Sequence, residues 1–598
     1  MSDANVTTYL LDRLAEAGVD RLFGVPGDFT LAMLDDVEAH RVIEWVGCAN
    51  ELGAGYAADG YARVRGLGAL CTTFGVGELS AINAIAGAFA EHVPVVHIVG
   101  SPATATQAAG RATHHTLGDG DFGHFARMTA EVTYAQAALT AENAAAEIDR
   151  VLRETLTECR PGYLLIPADV AKAPLAAPAA PLEVDAAASD PAALAELRGA
   201  VQAELEDASS IAVLAGILVH RMGAEDALQE VLVLGVPHAV SLWGRRVIDE
   251  SSSHYVGPYI GAVSSPETRS AVEDVDVLIT VGVQFTDLMS GFFSQHLPER
   301  TIEIGPRSVR IGELAFESVA MADALAVVGE ALAHSELVGD AGGAVTAADA
   351  ASDSEADAAV PTDAAVPTDG AVPTDATGSP DSAVPTDAEV TAEPAGGPEA
   401  PLDQAALWDA VSAQLRTGDV VIADQGTAFY GMGTHRMPHG VTFIGQPLWA
   451  AIGYTLPALL GAALADRSRR PVVLIGDGAA QLTIAELGTL IRNRVPAVVV
   501  VVNNAGYTVE RAIHGLTAEY NDIAPWNWTA VVRAFDPDGF TRSVSARTAA
   551  DVTGAFEQHD KLGGRRLTFI EAVVPPLDVP PLLSALAEQA GRANARRD

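Results

Sequence analysis

The stretch 471–510 constrains the fold of this chain more than any other, and it reads PVVLIGDGAAQLTIAELGTLIRNRVPAVVVVVNNAGYTVE. Its β-branched run, 472–475, stops at Gly476-Asp477-Gly478, where glycine lets the backbone turn tightly beside a ligand. Apolar residues then recur at helical spacing, and a second apolar run, 497–502, ends at Asn503-Asn504. This pattern predicts a βαβ unit in which a helix connects two buried parallel strands.

The right-handed crossover of such a unit brings Asp477 and Asn504, 27 positions apart, to the same carboxyl edge of the sheet. Carboxylate, amide and carbonyl oxygens are the hard donors that Mg²⁺ prefers, and phosphate oxygens and water complete its octahedron. The helix after Gly478 offers its N-terminus to the same phosphates. A GDG tripeptide alone also ends many sheets by chance, but together with NN-x-G-Y it predicts a site for Mg²⁺ and phosphate.

GDG followed some two dozen residues later by NN resembles the diphosphate-binding signature of thiamine diphosphate enzymes. The resemblance implies that Asp477, the Asn504 side chain and the Gly506 carbonyl hold Mg²⁺, which in turn holds the diphosphate of the cofactor. Further residues implied to contact the cofactor are Gln425, Gly426, Thr427, Gly478, Ala479 and Tyr507.

Strand and helix patterns alternate along three regions, which predicts an α/β protein built from three doubly wound parallel-sheet domains. A chain of 598 residues is also too long for one core. We expect an N-terminal domain over 1–175, a middle domain over 190–337 and a C-terminal domain over 402–598. The resemblance implies that the first domain binds the pyrimidine of the cofactor and the last its diphosphate. The middle domain shows no convincing cluster of chemical residues, so we expect a scaffold, although the comparable domain of relatives can be regulatory.

A low-complexity segment, 338–401, separates the middle and C-terminal domains. It contains AVPTD four times, and the residues 336–400 include 14 acidic side chains and no basic ones. Proline, alanine, threonine and acids bury too little apolar surface to offset the entropy of ordering. We therefore expect a disordered acidic linker that acts as a spacer, which we favour over a docking role.

The net charge of −42 argues against nucleic acid as a partner, because phosphate binding needs a basic face. Outside the acidic segment the chain still carries −28, and its only lysines are Lys172 and Lys561. The acidity suggests the hypothesis that the protein stays solvated at high salt. No apolar run reaches the roughly 20 residues of a membrane helix, and the first residues lack the positive charge of a secretory signal. We expect a cytoplasmic protein that does not bind membranes.

Glu51 is the candidate for activating the cofactor, because thiamine chemistry needs a carboxyl group hydrogen-bonded to the pyrimidine ring. It lies in ANELGAGYAADGYARV, which resembles the glutamate that precedes an ADGYAR helix in thiamine diphosphate enzymes. The structural alternative is an acid that stabilises a helix N-terminus through the helix dipole. The surrounding motif favours the catalytic role.

Four other residues are candidates for proton transfer: Asp28 at a strand end, the adjacent His114 and His115, and Glu510. Imidazole titrates near neutral pH, and positioned acids and bases each contribute about 10²–10⁴-fold to such steps. A His-His pair on a glycine-rich loop is more often a solvated turn. Here HHTLGDGDF accompanies VPGD, TTFGVGELSAIN and NNAGYTVERAIHG.

That combination resembles the 2-keto acid decarboxylases, which include pyruvate, indolepyruvate and branched-chain keto acid decarboxylases. The resemblance covers nearly the whole chain except the AVPTD repeats, and the adjacent histidines distinguish it from acetolactate synthases. It implies non-oxidative decarboxylation of a 2-keto acid to an aldehyde and CO₂ with thiamine diphosphate and Mg²⁺. It also implies that Ile452 wedges the cofactor into its bent shape and that the Ala450 carbonyl accepts from its amino group, at a position where glycine is more usual.

The segment ADQGTAFYG, 423–431, suggests the size of the substrate. Relatives restricted to pyruvate tend to carry threonine and tryptophan where this chain has Gln425 and Phe429, which implies a wider pocket for a branched-chain or aromatic 2-keto acid. Val509, Leu582 and Leu586 are expected to supply an apolar lining, which rewards an extra methylene by about 1–3 kcal/mol. The sequence does not choose among 2-ketoisovalerate, phenylpyruvate and indolepyruvate.

The resemblance implies active sites between subunits, because the family pairs the N-terminal domain of one subunit with the C-terminal domain of another. We therefore expect a homodimer or homotetramer. Two alternatives remain open from the sequence: a carboligase similar to acetolactate synthase, and a non-catalytic scaffold that retains the fold.

Overall fold

Three β-sheets organise the part of the chain that the computed structural model describes, which comprises residues 4–184, 188–335, 337 and 400–595. Residues 338–399 of the predicted acidic linker lie outside the described residues. The predicted domain boundaries stay predictions, since the sheets locate the cores and not the limits of each domain. None of the helices among the described residues combines the length and the hydropathy that crossing a membrane requires.

The N-terminal sheet has six strands, all parallel, in the order β2-β1-β3-β4-β6-β5. Its central strands are buried along their whole length, as expected where helices cover both faces. The strands are β1 Arg21–Gly24, β2 Glu44–Gly47, β3 Gly68–Thr73, β4 Val95–Ser101, β5 Ala135–Ala138 and β6 Gly162–Pro167. The helices are α1 Val6–Glu16, α2 Leu31–Ala39, α3 Glu51–Arg65, α4 Val76–Ala90, α5 Thr104–Ala108, α6 His124–Ala130, α7 Ala144–Glu158 and α8 Ala168–Ala171.

The middle sheet has seven strands in the order β13-β12-β11-β10-β7-β8-β9, and its last two strands in sequence run antiparallel at one edge. The sequence did not predict this edge, where Gly312 at φ +57° lies in a two-residue hairpin loop. The strands are β7 Ile211–Ala215, β8 His238–Ser241, β9 Tyr255–Tyr259, β10 Val277–Val281, β11 Thr301–Ile304, β12 Ser308–Ile311 and β13 Leu314–Glu317. The helices are α9 Pro191–Glu206, α10 Leu218–Arg221, α11 Glu225–Leu232, α12 Pro266–Glu273 and α13 Met321–Ala333.

The C-terminal sheet repeats the topology of the N-terminal one, with six parallel strands in the order β15-β14-β16-β17-β19-β18. The prediction of three doubly wound, largely parallel α/β sheets is thus confirmed. The strands are β14 Val420–Ala423, β15 Thr442–Ile444, β16 Pro471–Gly476, β17 Val498–Asn503, β18 Thr541–Ala546 and β19 Leu567–Val573. The helices are α14 Gln404–Ser412, α15 Thr427–Met432, α16 Thr455–Ala465, α17 Asp477–Thr483, α18 Glu486–Arg492, α19 Thr508–Ile513, α20 Trp528–Phe535, α21 Ala549–Lys561 and α22 Pro581–Ala595.

Helices α3 and α16 pack against each other and join the N-terminal and C-terminal sheets within one chain. A Cβ at Gly461 would overlap the Ala57 carbonyl oxygen, so the two backbones approach too closely for any larger residue. Tyr454 donates a hydrogen bond of 2.5 Å to Asp59 across this contact. Because α3 follows β2 and α16 precedes β16, this packing holds the N-terminal and C-terminal sheets against each other.

Candidate active site

A cavity of about 450 Å³ opens at the carboxyl edge of the C-terminal sheet, where β14, β16 and β17 end. Its volume falls in the range of ligand sites, and its walls are mainly apolar. The order of the strands reverses beside β14, which is where open α/β sheets bind ligands. The residues on its wall that the sequence predicted are Gln425, Gly426, Thr427, Ala450, Ile452, Asp477, Gly478, Ala479, Asn504, Gly506, Tyr507, Val509, Glu510 and Leu586.

The side chains of Asp477 and Asn504 meet at the ends of β16 and β17. One terminal atom of the Asn504 amide lies 3.2 Å from Asp477 Oδ1 and 2.8 Å from the Gly506 carbonyl oxygen, and the other lies 2.9 Å from Thr508 Oγ1. With its nitrogen turned inward, the amide donates to both oxygens. With its oxygen turned inward, three oxygens converge, and an arrangement of that kind needs a cation between them. The residues present therefore fit Mg²⁺.

The second carboxylate oxygen of Asp477, Oδ2, is buried and has no hydrogen-bond partner among the described residues. Burial raises the pKa of Asp477 to about 6, although the backbone N–H groups of Gly478, Ala505 and Gly506 oppose the rise. A buried, under-satisfied carboxylate is costly unless a cation or a proton meets it. This second observation also fits a metal at the site.

Ala450 and Ile452 line the cavity from the segment between β15 and α16. Ala450 has φ +57°, in the left-handed region that costs a non-glycine residue about 1–2 kcal/mol. Glycine adopts this conformation without that cost, which agrees with the expectation from the resemblance that glycine is more usual at the position. Its N–H donates to the Gln446 carbonyl at 2.8 Å, which closes the turn.

Asp424 is a buried acid at the end of β14 that the sequence patterns did not identify. It accepts hydrogen bonds from Thr455 Oγ1 at 2.7 Å and from the N–H groups of Gly453 and Thr455 at 3.2 Å. Burial raises its pKa to about 6. The carboxylate therefore fixes the turn between Ile452 and α16. The available signal was an acid that directly follows the apolar run 420–423.

The structure places Phe429 in the core and not on the cavity wall, contrary to the sequence-based assignment. Its ring is 1% exposed and lies 5.7 Å from that of Phe443. Tyr430 lines the cavity instead, and its hydroxyl accepts a hydrogen bond of 2.7 Å from Gln425 Nε2. In α15, packing against Gly445 turns Phe429 inward.

Helix α22 presents Leu583, Leu586, Ala587 and Ala590 to the cavity, so the register expected for this helix is corrected. Leu582 packs in the core, where it contacts Gly433. The i, i+3, i+4, i+7 spacing of the four residues is that of one helix face. The sequence indicated that one side of this helix is rich in leucine, but not which of the leucine residues face the cavity.

Leu288 and Phe292 of the middle sheet region also line the cavity, which the sequence did not predict. Phe292 has φ +60° and follows Gly291 at φ +58°. The middle region is thus part of the cavity wall and is not only a scaffold.

In the N-terminal region, Asp28, His114 and His115 meet at the carboxyl edge of the sheet, where their ligand atoms lie within 4.8 Å of one another. Asp28 Oδ2 lies 2.7 Å from His114 Nε2, and Asp28 Oδ1 lies 3.9 Å from His115 Nδ1. Phe29 stacks on His114 with a centroid distance of 5.1 Å. Asp28 and His114 are exposed, with 46% and 58% of their side chains accessible.

Glu51 is the first residue of α3, and the Asn50 side chain caps the helix by accepting from the Gly53 N–H at 2.7 Å. The cap therefore does not use the Glu51 carboxylate. The described chain does not bring Glu51, Asp28, His114 or His115 to the wall of the C-terminal cavity. The predicted site residues form two groups, one at each of two sheet edges.

Comparison with known protein families gives three matches. The thiamine pyrophosphate enzyme N-terminal TPP binding domain matches residues 4–123. The central domain of thiamine pyrophosphate enzymes matches residues 199–332, and their C-terminal TPP binding domain matches residues 427–571. Each matched range contains most of one of the three sheets.

Similar proteins include two named alpha-keto-acid decarboxylase. The one from Mycobacterium ulcerans (strain Agy99) is 49% identical over 97% of this chain and 95% of its own length. The one from Mycobacterium leprae (strain TN) is 48% identical over 98% of this chain and 96% of its own length. Among solved structures, the thiamine diphosphate-dependent 4-hydroxybenzoylformate decarboxylase of Rhodococcus jostii RHA1 shares the fold, with a TM-score of 0.70 and 20% identity over 96% of this chain and 99% of that one.

Proposed function

Since the chain belongs to the thiamine diphosphate-dependent 2-keto acid decarboxylases, we propose that it converts a branched-chain or aromatic 2-keto acid to an aldehyde and CO₂ with the help of Mg²⁺. The observation that carries the finer proposal is the composition of one cavity. The cavity combines oxygen atoms of Asp477, Asn504 and Gly506, which are suited to bind a metal ion, with a mainly apolar wall.

When bound, thiamine diphosphate supplies a carbon nucleophile and an electron sink for the loss of CO₂. Asp477, the Asn504 side chain and the Gly506 carbonyl would hold Mg²⁺ against its diphosphate. Ala450 and Ile452 would bind the middle of the cofactor, and Asp424 holds the turn that follows them. In this proposal the residues of the C-terminal region bind and orient, except Glu510, which moves protons together with the residues of the N-terminal region.

Glu51 would hold a proton at the pyrimidine of the cofactor, while Asp28, His114, His115 and Glu510 would deliver and remove protons at the substrate. The 2.7 Å hydrogen bond between Asp28 and His114 supports proton transfer between the two side chains, because such transfer needs the two heavy atoms at hydrogen-bond distance. Phe29 stacks on the imidazole and fixes its plane.

The apolar wall supports a substrate larger than pyruvate. Val509, Ile513 and the α22 face give it carbon surface, whereas Gln425 is engaged by Tyr430. Each additional methylene that such a wall covers is worth about 1–3 kcal/mol. A wall of this kind also favours loss of CO₂, since charge is dispersed in that step.

We further propose that the active site forms between two subunits. Exposed Asp28 and His114 support this, because proton transfer in an apolar site needs groups that water does not surround. A second subunit would cover them with its C-terminal cavity.

Mixing the Glu51→Gln variant with the Asp477→Asn variant tests this arrangement of the active site. Random dimers would regain about one quarter of wild-type activity, since half are mixed and each mixed dimer has one intact site. Sites within one subunit would regain none.

The experiment that tests the function is aldehyde release from a panel of 2-keto acids, with and without Mg²⁺ and thiamine diphosphate. We expect aldehyde from branched-chain or aromatic substrates at higher kcat/KM than from pyruvate, and none after removal of the metal with a chelator. Acetoin-type products without free aldehyde would instead indicate a carboligase. A scaffold would be indicated if neither wild type nor Glu51→Gln turned over a 2-keto acid and Glu51→Gln kept the cellular function of wild type.

A further inference from the structure

Glu78, in helix α4, is fully buried and has no role in the mechanism proposed above. Its Oε1 accepts a hydrogen bond of 2.8 Å from the Gly75 N–H, and its Oε2 accepts one of 2.8 Å from the Tyr163 hydroxyl. Both donors are neutral. The carboxylate thus connects the turn that follows β3 to strand β6, deep beneath the carboxyl edge of the N-terminal sheet.

Glu78 holds the segment 73–77, which runs from the last residue of β3 through a two-residue turn to the first two residues of α4 and is called here the turn 73–77. This turn lies against three elements that carry N-terminal site residues. A Cβ at Gly75, which has φ +65°, would overlap the His115 carbonyl oxygen. A Cβ at Gly77 would lie 3.3 Å from Glu51 Oε1. Thr73 packs against Gly27, the residue before Asp28, with no space for a Cβ between them.

We propose that Glu78 is a positioning residue for the decarboxylation: by fixing the turn 73–77, it holds Glu51, His115 and the Asp28 loop in one arrangement. These three elements come from the ends of different strands, and the turn is the surface on which they all rest. A shift of the turn would move each of them. Small displacements of proton-transfer groups cost rate, because the catalytic geometry must be nearly correct before the reaction starts.

The environment of Glu78 favours a positioning role over a role as a fixed negative charge. Burial raises its pKa to about 7, and the hydrogen bonds from Gly75 and Tyr163 only partly oppose the rise. Behind it, Tyr163 packs edge-on against His97, whose pKa burial lowers to about 3. The titratable groups across the turn are Glu51 and His115. A carboxyl group in this position works through the geometry of its two hydrogen bonds in either protonation state.

The inference rests on the proposed roles of Glu51, Asp28 and His115. Its test distinguishes a failure of this inference from a failure of the proposed function. Glu78→Ala removes both hydrogen bonds, while Glu78→Gln keeps an acceptor for Gly75 and a polar partner for Tyr163. We expect Glu78→Ala to lower kcat at least tenfold with KM changed less than threefold, because the substrate cavity belongs to the C-terminal region. Glu78→Gln should stay within about threefold of wild type. Glu131→Gln, at an exposed position in the same region, is the control.

Tyr163→Phe covers the case in which Glu78→Ala does not fold, since it removes one of the two donors and should lower kcat by an intermediate factor. Thermal unfolding from pH 4.5 to 8 supplies a readout that is independent of activity. The raised pKa means that the folded state holds the proton more tightly, so wild type should lose stability as pH rises through this range relative to Glu78→Gln. Wild-type kcat in both Glu78→Ala and Tyr163→Phe overturns the proposal, as does an equal loss in Glu78→Ala and Glu78→Gln. An inactive wild type refutes the proposed function instead, while the unfolding curves still report on Glu78.

Discussion

Asp28 Oδ2 and His114 Nε2 lie 2.7 Å apart although 86 positions of sequence separate them. Asp28 follows β1, and His114 belongs to the loop after α5, so the parallel sheet brings both loops to one edge. The two side chains are exposed in the single chain, so their hydrogen bond contributes little to stability. In the proposed function this pair transfers protons.

Asp28→Asn should lower kcat by about 10²–10⁴-fold with little effect on unfolding temperature, because the amide keeps the shape but cannot exchange a proton. Steady-state kinetics and thermal unfolding measure the two effects. Asp35→Asn, at an exposed position on α2, is the control. Loss of less than threefold would remove Asp28 from the proton-transfer steps.

Glu51→Gln should reduce turnover by about 10²–10⁴-fold while leaving Mg²⁺-dependent binding of thiamine diphosphate largely in place. The Asn50 side chain caps α3, so the substitution should not destabilise the helix start. Calorimetric titration of the cofactor and aldehyde release report on the two properties separately. Near-normal turnover would exclude Glu51 from cofactor activation.

Asp477→Asn should abolish the Mg²⁺ dependence of cofactor binding, since it removes the anionic oxygen beside Asn504 and Gly506. We expect the dissociation constant for thiamine diphosphate to rise at least tenfold in the presence of Mg²⁺. Asp538→Asn, where 68% of the side chain is exposed, provides a control in the same region. Equal Mg²⁺ dependence in Asp477→Asn and wild type would place the metal elsewhere.

Ala587→Leu should narrow the cavity and shift preference from aromatic towards smaller 2-keto acids, because Ala587 lies on its α22 wall. The ratio of kcat/KM for phenylpyruvate to that for pyruvate should fall about 10-fold or more. Ser584→Leu adds the same side chain to an exposed position of α22. An equal ratio in the two variants would remove α22 from the substrate wall.

Asp424→Asn should change how stability depends on pH. Burial raises the pKa of Asp424 to about 6, so the folded protein holds this proton more tightly than the unfolded chain. Wild type therefore loses on the order of 3 kcal/mol from this group as pH rises from about 4 to above 6. The asparagine variant has no such loss, so the difference between their unfolding temperatures should shrink over that range. Parallel curves would contradict the assignment.

The local patterns of the sequence predicted the sheets and the two ends of the candidate site. Val498–Asn503 is an unbroken apolar run that ends in a polar residue, which a buried parallel strand requires. Asp477 and Asn504 come directly after such runs. The two strands of a βαβ unit are parallel, so their carboxyl ends lie at the same edge of the sheet. Asp28, His114 and His115 were identified by the motifs that resemble those of the 2-keto acid decarboxylases, because residue type and loop position alone also fit a solvated turn.

Other parts of the site depend on contacts between distant segments. Asp424 belongs to the site because it bonds Thr455, 31 positions later. Phe429 points into the core and Tyr430 into the cavity because Gly445 leaves room for the first ring. Neither choice is visible in the periodicity of α15, a helix of only six residues.

The sequence by itself determined which strands end in candidate site residues, which oxygens suit a metal ion, and that Glu51 lies at the start of a helix. Only the tertiary structure decided which face of α22 meets the cavity, that Leu288 and Phe292 join its wall, and that one turn supports three site elements. The physical reason is that side-chain periodicity is local, whereas the rotation of a helix and the approach of two loops are set by close packing against residues far away in the chain.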